Sequence, residues 1–239
     1  MRRFTDLHLR PLPGDISELK NMLCSAVNLG YSGVAVTENN TVRDMKETCK
    51  DMCLDFISRV DLKPRNAVEL KSFLRHLRRR FEVIAVECLT KTVARQAAKD
   101  HRVDILNFSP FSSIRGRVQF DRQEANLASG SNCNYEVNAS DILNLPPPAC
   151  ARLLSIIRGE VENARRYDIP ILISSGAESH LLMREPRGMA ALLDLVGVGE
   201  EEGLNMISTV PWRLVELNRV KLSPKFISPG VRVVDRDDC

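Results

Sequence analysis

The fold is decided by residues 54–88, LDFISRVDLKPRNAVELKSFLRHLRRRFEVIAVEC, which read as a strand, an amphipathic helix and a second strand. Leu54–Ser58 and Phe81–Cys88 are short apolar runs of the kind found in buried strands. Between them, Asn66 and Glu69 stand at the spacing of a helix N-cap and its capping box. The apolar face of this helix consists of Leu70, Phe73, Leu74 and Leu77. A strand, a helix and another strand in this order form the unit from which parallel α/β sheets are built.

The same alternation continues in both directions along the chain, without a Ser/Gly linker or a low-complexity segment. The other predicted strands are Phe4–Leu9, Gly33–Thr37, Val103–Phe108, Tyr135–Asn138 and Ile169–Ser174. A further helix is predicted from about Ile16, after the turn Pro13-Gly14-Asp15, to a stop at Gly30. Others are predicted from Pro147 or Pro148 to about Tyr167, after Pro186, and over Glu200–Leu204 and Pro211–Asn218.

Seven strands in 239 residues fit one barrel, a fold that typically takes roughly 250 residues. We therefore predict a single α/β, TIM-barrel-like domain over residues 1–222, with about seven parallel strands surrounded by helices. Pro224, Pro229 and Gly230 interrupt any regular pattern in residues 223–239. For that segment we expect an extended tail with a mobile acidic end.

Composition excludes several classes of protein. With 44% hydrophobic and 27% charged residues, the chain is globular rather than disordered. It contains neither a run of about 18 apolar residues nor the apolar stretch of a secretory signal, so we expect a cytoplasmic protein with no membrane partner. The seven cysteines are scattered, which indicates reduced thiols. Cys49 and Cys53 could chelate zinc only with two ligands from elsewhere, and no Cys/His pair at finger spacing follows them.

Positive charge is concentrated in residues 63–102. This segment holds eleven Lys or Arg and four acids, a local net charge of +7 in a chain whose total is +3. On the helix after Asn66, the residues Lys71, Arg75, Arg78 and Arg79 form a basic stripe away from the apolar face. Two interpretations stay open for this stripe: a solvated helix face or a surface that binds an anionic partner.

Asp6 and His8 lie at the end of the first predicted strand, at the barrel mouth where active sites of this fold are found. Metal-dependent phosphoesterases of the polymerase and histidinol phosphatase (PHP) class begin similarly, with a D-L-H-x-H motif. Here Arg10 occupies the position of the second histidine, and the other three histidines have none of the spacings that a metal cluster needs. We expect a degenerate site with no metal and no catalytic residue. The alternative is a stand-alone phosphoesterase with Asp6, His8 and Glu87 as ligands.

Two predicted loops contain basic residues, one beside a Ser/Gly turn and the other among phenylalanines. After the most apolar strand, Ser174-Ser175-Gly176-Ala177 is either a tight turn or a cradle of backbone N–H groups for an anion. The same loop then supplies His180, Arg184 and Arg187. A second basic loop is formed by Arg115, Arg117 and Arg122, interleaved with Phe108, Phe111 and Phe120. Arginine and aromatic side chains can grip phosphates and stack on RNA bases, although the phenylalanines would equally serve in the core.

The chain resembles the protein component 3 family of archaeal and eukaryal ribonuclease P. The resemblance is carried by residues 4–11 (FTDLHLRP), 29–36 (LGYSGVAV), 135–138 (YEVN) and 173–177 (ISSGA), followed by 184–187 (REPR). The SSGA run with REPR before a Leu-rich helix is the most specific of these. Similarity covers nearly the whole chain and is weakest over residues 39–65 and in the tail.

This resemblance implies a PHP-like barrel that has lost its metal site and is a non-catalytic subunit of a ribonucleoprotein. In that family the RNA, using Mg²⁺, cleaves precursor tRNA to give the mature 5′ end, and the protein scaffolds the RNA without a cofactor of its own. Its implied partners are the ribonuclease P RNA, precursor tRNA through the holoenzyme, the small ferredoxin-like component 2 and other protein subunits. Because they match the family motif, Arg184 and Arg187 are predicted to contact RNA or to anchor the loop that does. Charge and loop placement add Arg95, Arg115, Arg117, Arg122 and His180. A barrel that binds only other proteins is a third possibility.

Overall fold

The computed structural model describes residues 2–37, 42–110, 114, 116–228 and 231–232. Its centre is a seven-stranded parallel sheet in which the strands pair in chain order. The strands are β1 (Thr5–Leu9), β2 (Gly33–Thr37), β3 (Asp55–Leu62), β4 (Val83–Glu87), β5 (Ile105–Asn107), β6 (Asn134–Asn138) and β7 (Ile171–Ser174). The sheet curls into a nearly closed barrel, which confirms the seven predicted strands and the single TIM-barrel-like domain.

Helices follow the strands and cover the outside of the barrel. They are α1 (Ile16–Asn28), α2 (Val42–Asp51), α3 (Ala67–Leu77), α4 (Lys91–Ala98), α5 (Arg122–Ser129), α6 (Ala139–Leu143), α7 (Pro147–Arg166), α8 (Pro186–Asp194), α9 (Glu200–Met206) and α10 (Thr209–Leu222). A 3₁₀ turn, His180–Leu182, precedes α8. Among these described helices, none combines the length and apolar character needed to cross a membrane.

Two details of α3 differ from the prediction. The Asn66 side chain caps the helix by accepting from the N–H groups of Val68 and Glu69, but the Glu69 carboxylate accepts from the N–H of Arg65 instead of that of Asn66. Arg78, expected on the exposed basic stripe, instead folds back to contact the Asp104 carboxylate. Arg78 is the C-cap of α3 and keeps a helical backbone conformation, so it is its side chain that turns inward.

The barrel closes without a full ladder between β1 and β7. One parallel bridge joins Leu9 to Ala177, and the Arg10 N–H donates to the Ala177 carbonyl at 2.8 Å. At the other end of β1, the Thr5 N–H donates to the Ile207 carbonyl at 2.9 Å. Helix α10 covers this amino-terminal end, and its Leu214 and Val215 pack into the interior of the barrel. The apolar lower half of the interior contains Leu7, Ala35, Ile57, Val83, Ala85, Ile105 and Leu172.

The carboxyl-terminal segment is not a simple extended tail. Strands β8 (Phe226–Ser228) and β9 (Val231–Arg232) pair antiparallel. Residues 229–230 and 233–239, which include the predicted mobile acidic end, lie outside the described residues.

Candidate functional site at the barrel mouth

Strand β3 carries charged residues into the barrel. Because side chains alternate along a strand, Ile57, Arg59 and Asp61 all face the interior. The sequence prediction ended this strand at Ser58, and that boundary is wrong. Strand β3 continues to Leu62, and Arg59 is fully buried.

The Arg59 guanidinium is held between two carboxylates. Its Nη1 and Nη2 donate to the two carboxylate oxygens of Glu136, both at 2.7 Å, in a bidentate arrangement. Nη2 also donates to Asp61 Oδ1 at 2.7 Å, and Nη1 donates to the Leu7 carbonyl at 2.7 Å. A planar guanidinium matches carboxylate geometry in this way, and such charge-assisted pairs are the strong ones. Asp61 and Glu136 therefore share the single positive charge of Arg59.

The same two carboxylates accept further hydrogen bonds. Thr37 Oγ1 donates to Asp61 at 2.7 Å, and Ser174 Oγ donates to Glu136 at 2.7 Å. Burial opposes ionisation of both carboxyl groups, but the Arg59 charge and the hydrogen bonds that the carboxylates accept together outweigh it and hold the pKa of Asp61 and that of Glu136 below their ordinary values. The network is ionised and nearly saturated with hydrogen bonds.

Asp6 and His8 occupy the edge of this network. His8 Nδ1 lies 2.8 Å from Asn138 Oδ1, and its Nε2 lies 3.6 Å from Asp61 Oδ2. Asp6 Oδ1 accepts from the N–H groups of His8 and Ser175, whereas its Oδ2 is buried with no hydrogen-bond partner. Burial raises the pKa of Asp6. Asp6 therefore serves to tie β1 to the loop after β7.

A cavity of about 590 Å³ opens above the network at the carboxyl ends of the strands. His8, Asp61 and Glu87 line it, together with asparagines from β5 and β6, whereas Asp6 does not reach it. Its acids, Asp61, Glu87, Asp141 and Glu178, outnumber its cations, Arg10 and Lys63. The mouth is therefore acidic, and an anionic phosphate ester would be disfavoured there.

These residues do not fit a catalytic metal ion. A cation beside Asp61 and Glu136 would meet the Arg59 charge, and Glu87 is engaged by Lys63 Nζ at 2.8 Å. Within the described part of the chain, no group of three or more His, Cys, Asp or Glu side chains is arranged to hold a metal. The ligand set Asp6, His8 and Glu87 considered for a phosphoesterase is thus not assembled, because only two of its members reach the cavity.

Arg10 closes the seam of the barrel at the position where the PHP motif has its second histidine. Its Nε and Nη2 donate to the Gly176 carbonyl at 3.0 and 2.8 Å. The N–H groups of Ser175 and Ala177 are also engaged within the barrel. Gly176 adopts a φ of +60°, which glycine accepts most readily. The structure therefore supports the tight-turn interpretation of this loop over the anion cradle.

The predicted RNA contacts at the loop before α8 take part in anchoring it. Glu18 Oε1 accepts from the His180 N–H at 2.6 Å and lies 2.7 Å from His180 Nδ1. Tyr31 donates its hydroxyl to the Arg184 carbonyl at 2.8 Å, and Arg184 Nη1 donates to the carbonyls of Leu181 and Met183. Arg187 is exposed on α8. Among the described residues, none forms a hydrogen bond or an ion pair with the Arg187 side chain.

The other predicted RNA contacts are dispersed. Arg95 Nε lies 3.5 Å from Glu124 Oε1, Arg122 is exposed at the start of α5, and Arg117 is exposed in the preceding loop. Arg115 and Phe111 lie outside the described residues. The stacking alternative for two phenylalanines is not supported, because Phe108 and Phe120 are buried against each other and against Tyr135.

Sequence reasoning missed the central residues of the mouth, Arg59, Asp61, Glu136 and Asn138. A signal was present: polar residues stand at every second position of Asn134–Asn138 and of Arg59–Asp61, which is the period of one strand face. On strands that are buried on both sides, such alternation indicates a polar interior layer.

Comparisons with known proteins agree with this architecture. The family model described as RNase P subunit p30 matches residues 3–223. The ribonuclease P protein component 3 of Methanosarcina barkeri is 28% identical over 238 residues, covering 99% of this chain and 98% of the relative. The Methanosarcina mazei protein of the same name is 26% identical, covering 98% and 97%.

Solved structures share the fold at low sequence identity. A chain in a cryo-EM structure of archaeal ribonuclease P with mature tRNA superposes with a TM-score of 0.83 at 20% identity, covering 97% of this chain and 99% of that one. The ochratoxinase of A. niger superposes with a TM-score of 0.65 at 10% identity, covering 94% and 72%.

Proposed function

This chain belongs to the RNase P subunit p30 family, and on that premise we propose that it is a non-catalytic protein subunit of ribonuclease P, the ribonucleoprotein that cleaves precursor tRNA to give its mature 5′ end. In this proposal the RNA performs the cleavage with Mg²⁺, and the protein binds no cofactor. The partners are the ribonuclease P RNA, the small ferredoxin-like component 2 and further protein subunits, and precursor tRNA is met through the holoenzyme in the cytoplasm.

The proposal that this subunit is non-catalytic is supported by the ion pairs of Arg59. In a barrel hydrolase the carboxylates of the mouth must be free to hold a metal ion or to move a proton. Here Asp61 and Glu136 are both engaged by one buried guanidinium. Arg10 likewise stands at a motif position where a metal-dependent enzyme has histidine, and it contacts the Gly176 carbonyl instead. The barrel is therefore suited to a structural role.

The loop arginines remain proposed RNA contacts. Replacing Arg184 and Arg187 together by alanine should lower the affinity for ribonuclease P RNA, because two phosphate contacts and their released counterions are lost. A filter-binding titration over a range of salt concentrations measures this. An unchanged affinity and salt slope would show that these side chains act only within the loop.

The experiment that tests the proposed function starts from the tagged full-length chain, purified from its own cells at moderate salt. The RNA in the eluate is sequenced, and the same eluate is assayed for cleavage of precursor tRNA. Enrichment of one structured RNA together with cleavage at the mature 5′ end is the expected result. An RNA-free protein that carries stoichiometric metal and hydrolyses a phosphate ester, with turnover lost in His8→Ala, would overturn the proposal in favour of the phosphoesterase.

A further inference from the structure

Helix α3 and its surroundings carry positive charge that the fold does not neutralise. Of the eleven cations in residues 63–102, five form ion pairs with acids: Lys63, Arg78, Lys91, Arg95 and Arg102. The other six form none within the described residues and are exposed: Arg65, Lys71, Arg75, Arg79, Arg80 and Lys99. Three of the segment's four acids, Glu82, Glu87 and Asp100, are already engaged by arginine or lysine. A positive patch therefore remains.

Three of these cations form one line. Lys71, Arg75 and Arg79 are separated by four residues each, so they lie on the same side of α3 and of the turn that follows it. We call them the α3 basic stripe. The stripe is about 12 Å long at a rise of about 1.5 Å per residue. Like charges at this spacing repel one another, so the stripe weakens the helix rather than supporting it.

Arg78, at the end of α3, differs from these three residues because its side chain has a structural role. It contacts the Asp104 carboxylate and donates to the Phe81 carbonyl at 2.8 Å and to the Glu82 carbonyl at 3.1 Å. It thereby joins the end of α3 to β4 and β5. The structure gives Lys71, Arg75 and Arg79 no comparable role, so their charge is available to a partner.

The barrel mouth attracts an anion much less than the α3 basic stripe does. The residues that line its cavity include four acids and only two cations, Arg10 and Lys63. A polyanion approaching the chain is therefore attracted to α3 and repelled by the mouth. The stripe holds no aromatic side chain on which a base could stack. This composition suits the phosphate backbone rather than the bases of RNA.

We propose that the α3 basic stripe is a contact surface for the phosphate backbone of RNA, bound without regard to base sequence. The inference rests on the proposed function and adds the place of contact. Phosphates of one strand follow one another at about 3.4 Å along the axis of double-stranded DNA, and by that measure a stripe about 12 Å long spans three or four phosphates of a nucleic-acid backbone. Each lysine or arginine that neutralises a phosphate releases counterions, which makes the contact sensitive to salt.

The test compares two triple variants of the full-length chain in filter binding to ribonuclease P RNA transcribed from the same organism. The stripe variant carries Lys71→Gln, Arg75→Gln and Arg79→Gln. The control variant carries Lys20→Gln, Arg152→Gln and Arg166→Gln, which are exposed cations without an acid partner among the described residues and which change the net charge equally. Thermal unfolding of both variants should match the wild type, because all six side chains are exposed.

For the stripe variant we expect affinity to fall at least about tenfold at physiological salt, and the plot of log K against log salt to flatten by about 2 to 3. The control should lose less than about threefold. Equal losses in both variants would overturn the inference, because net charge rather than the stripe would be responsible. Unchanged RNA binding by the stripe variant would also overturn it. Failure of the wild type itself to bind the RNA would instead contradict the proposed function.

Discussion

Replacing Arg59 by methionine should destabilise the barrel strongly, and the loss should depend on pH. The substitution keeps a long stem but leaves the carboxylates of Asp61 and Glu136 buried without their guanidinium. Removing one partner of a buried ion pair costs about 3–5 kcal/mol. Since about 1 kcal/mol corresponds to about 2–4 °C in a chain of this size, the melting temperature near neutral pH should fall by about 6–20 °C.

The sign of the pH dependence follows from the two carboxyl groups. In the wild type their pKa values lie below the ordinary range, so they stabilise the folded state above an unfolded pKa of about 4, and this stabilisation is lost as the pH falls. In Arg59→Met, burial without a counter-charge should raise both pKa values. The variant therefore loses stability as the pH rises above about 4. The difference in melting temperature between the two proteins should be largest near pH 7.5 and smaller near pH 4.5.

Thermal unfolding at both pH values, followed by circular dichroism, measures these differences. Arg165→Met is the matched control, because Arg165 pairs with the exposed Glu202 and should change the stability by no more than about 1 kcal/mol. A fall of less than about 3 °C for Arg59→Met, or a fall of equal size at both pH values, would refute the reasoning that Arg59 is the counter-charge of Asp61 and Glu136.

Three further outcomes are expected. Gly176→Ala should lower the free energy of unfolding, measured with urea, by at least about 1–3 kcal/mol, because φ is +60° and the added Cβ would lie 2.5 Å from Ser140 Oγ. A variant as stable as the wild type would contradict the tight turn. Tyr31→Phe removes the hydroxyl that holds the Arg184 carbonyl, so amide exchange in residues 178–185 should accelerate while the strands stay protected, and uniform exchange would refute this anchor. Burial raises the pKa of the Cys133 thiol to about 12, so a thiol reagent near pH 8 should modify the exposed cysteines and spare Cys133 until the protein is unfolded.

Much of the fold could be predicted because it depends on local patterns. The Asn66 cap, the proline at the start of α7 and the apolar runs of the strands each express a preference that neighbouring residues determine. The alternation of strands and helices then leaves few arrangements other than a parallel barrel. Boundaries were missed where tertiary contacts decide them, as at Arg59, which continues β3 because the distant Glu136 carboxylate accepts hydrogen bonds from its guanidinium.

The candidate site could be predicted only in part. The sequence places Asp6 and His8 at the mouth and shows Arg10 in place of a histidine, all of which are local facts. The pairing of Arg59 with Glu136 joins positions 77 residues apart, and no spacing rule connects them. The same holds for Arg78, whose inward turn depends on Asp104. Charge counts located the basic segment, but only the structure separates its structural arginines from its exposed ones.

The central claim is that the mouth of this barrel is structural and that the chain acts as a subunit. The most direct measurement is cleavage of precursor tRNA by the ribonucleoprotein purified with a tagged His8→Gln chain, normalised to its RNA content and compared with the wild-type assembly. We expect the cleavage rates of the two assemblies to agree within about twofold, because a general acid or base raises the reaction rate by about 10²–10⁴-fold only when it takes part in the chemistry. A loss of about a hundredfold or more with RNA and protein subunits unchanged would contradict it and assign catalysis to the mouth.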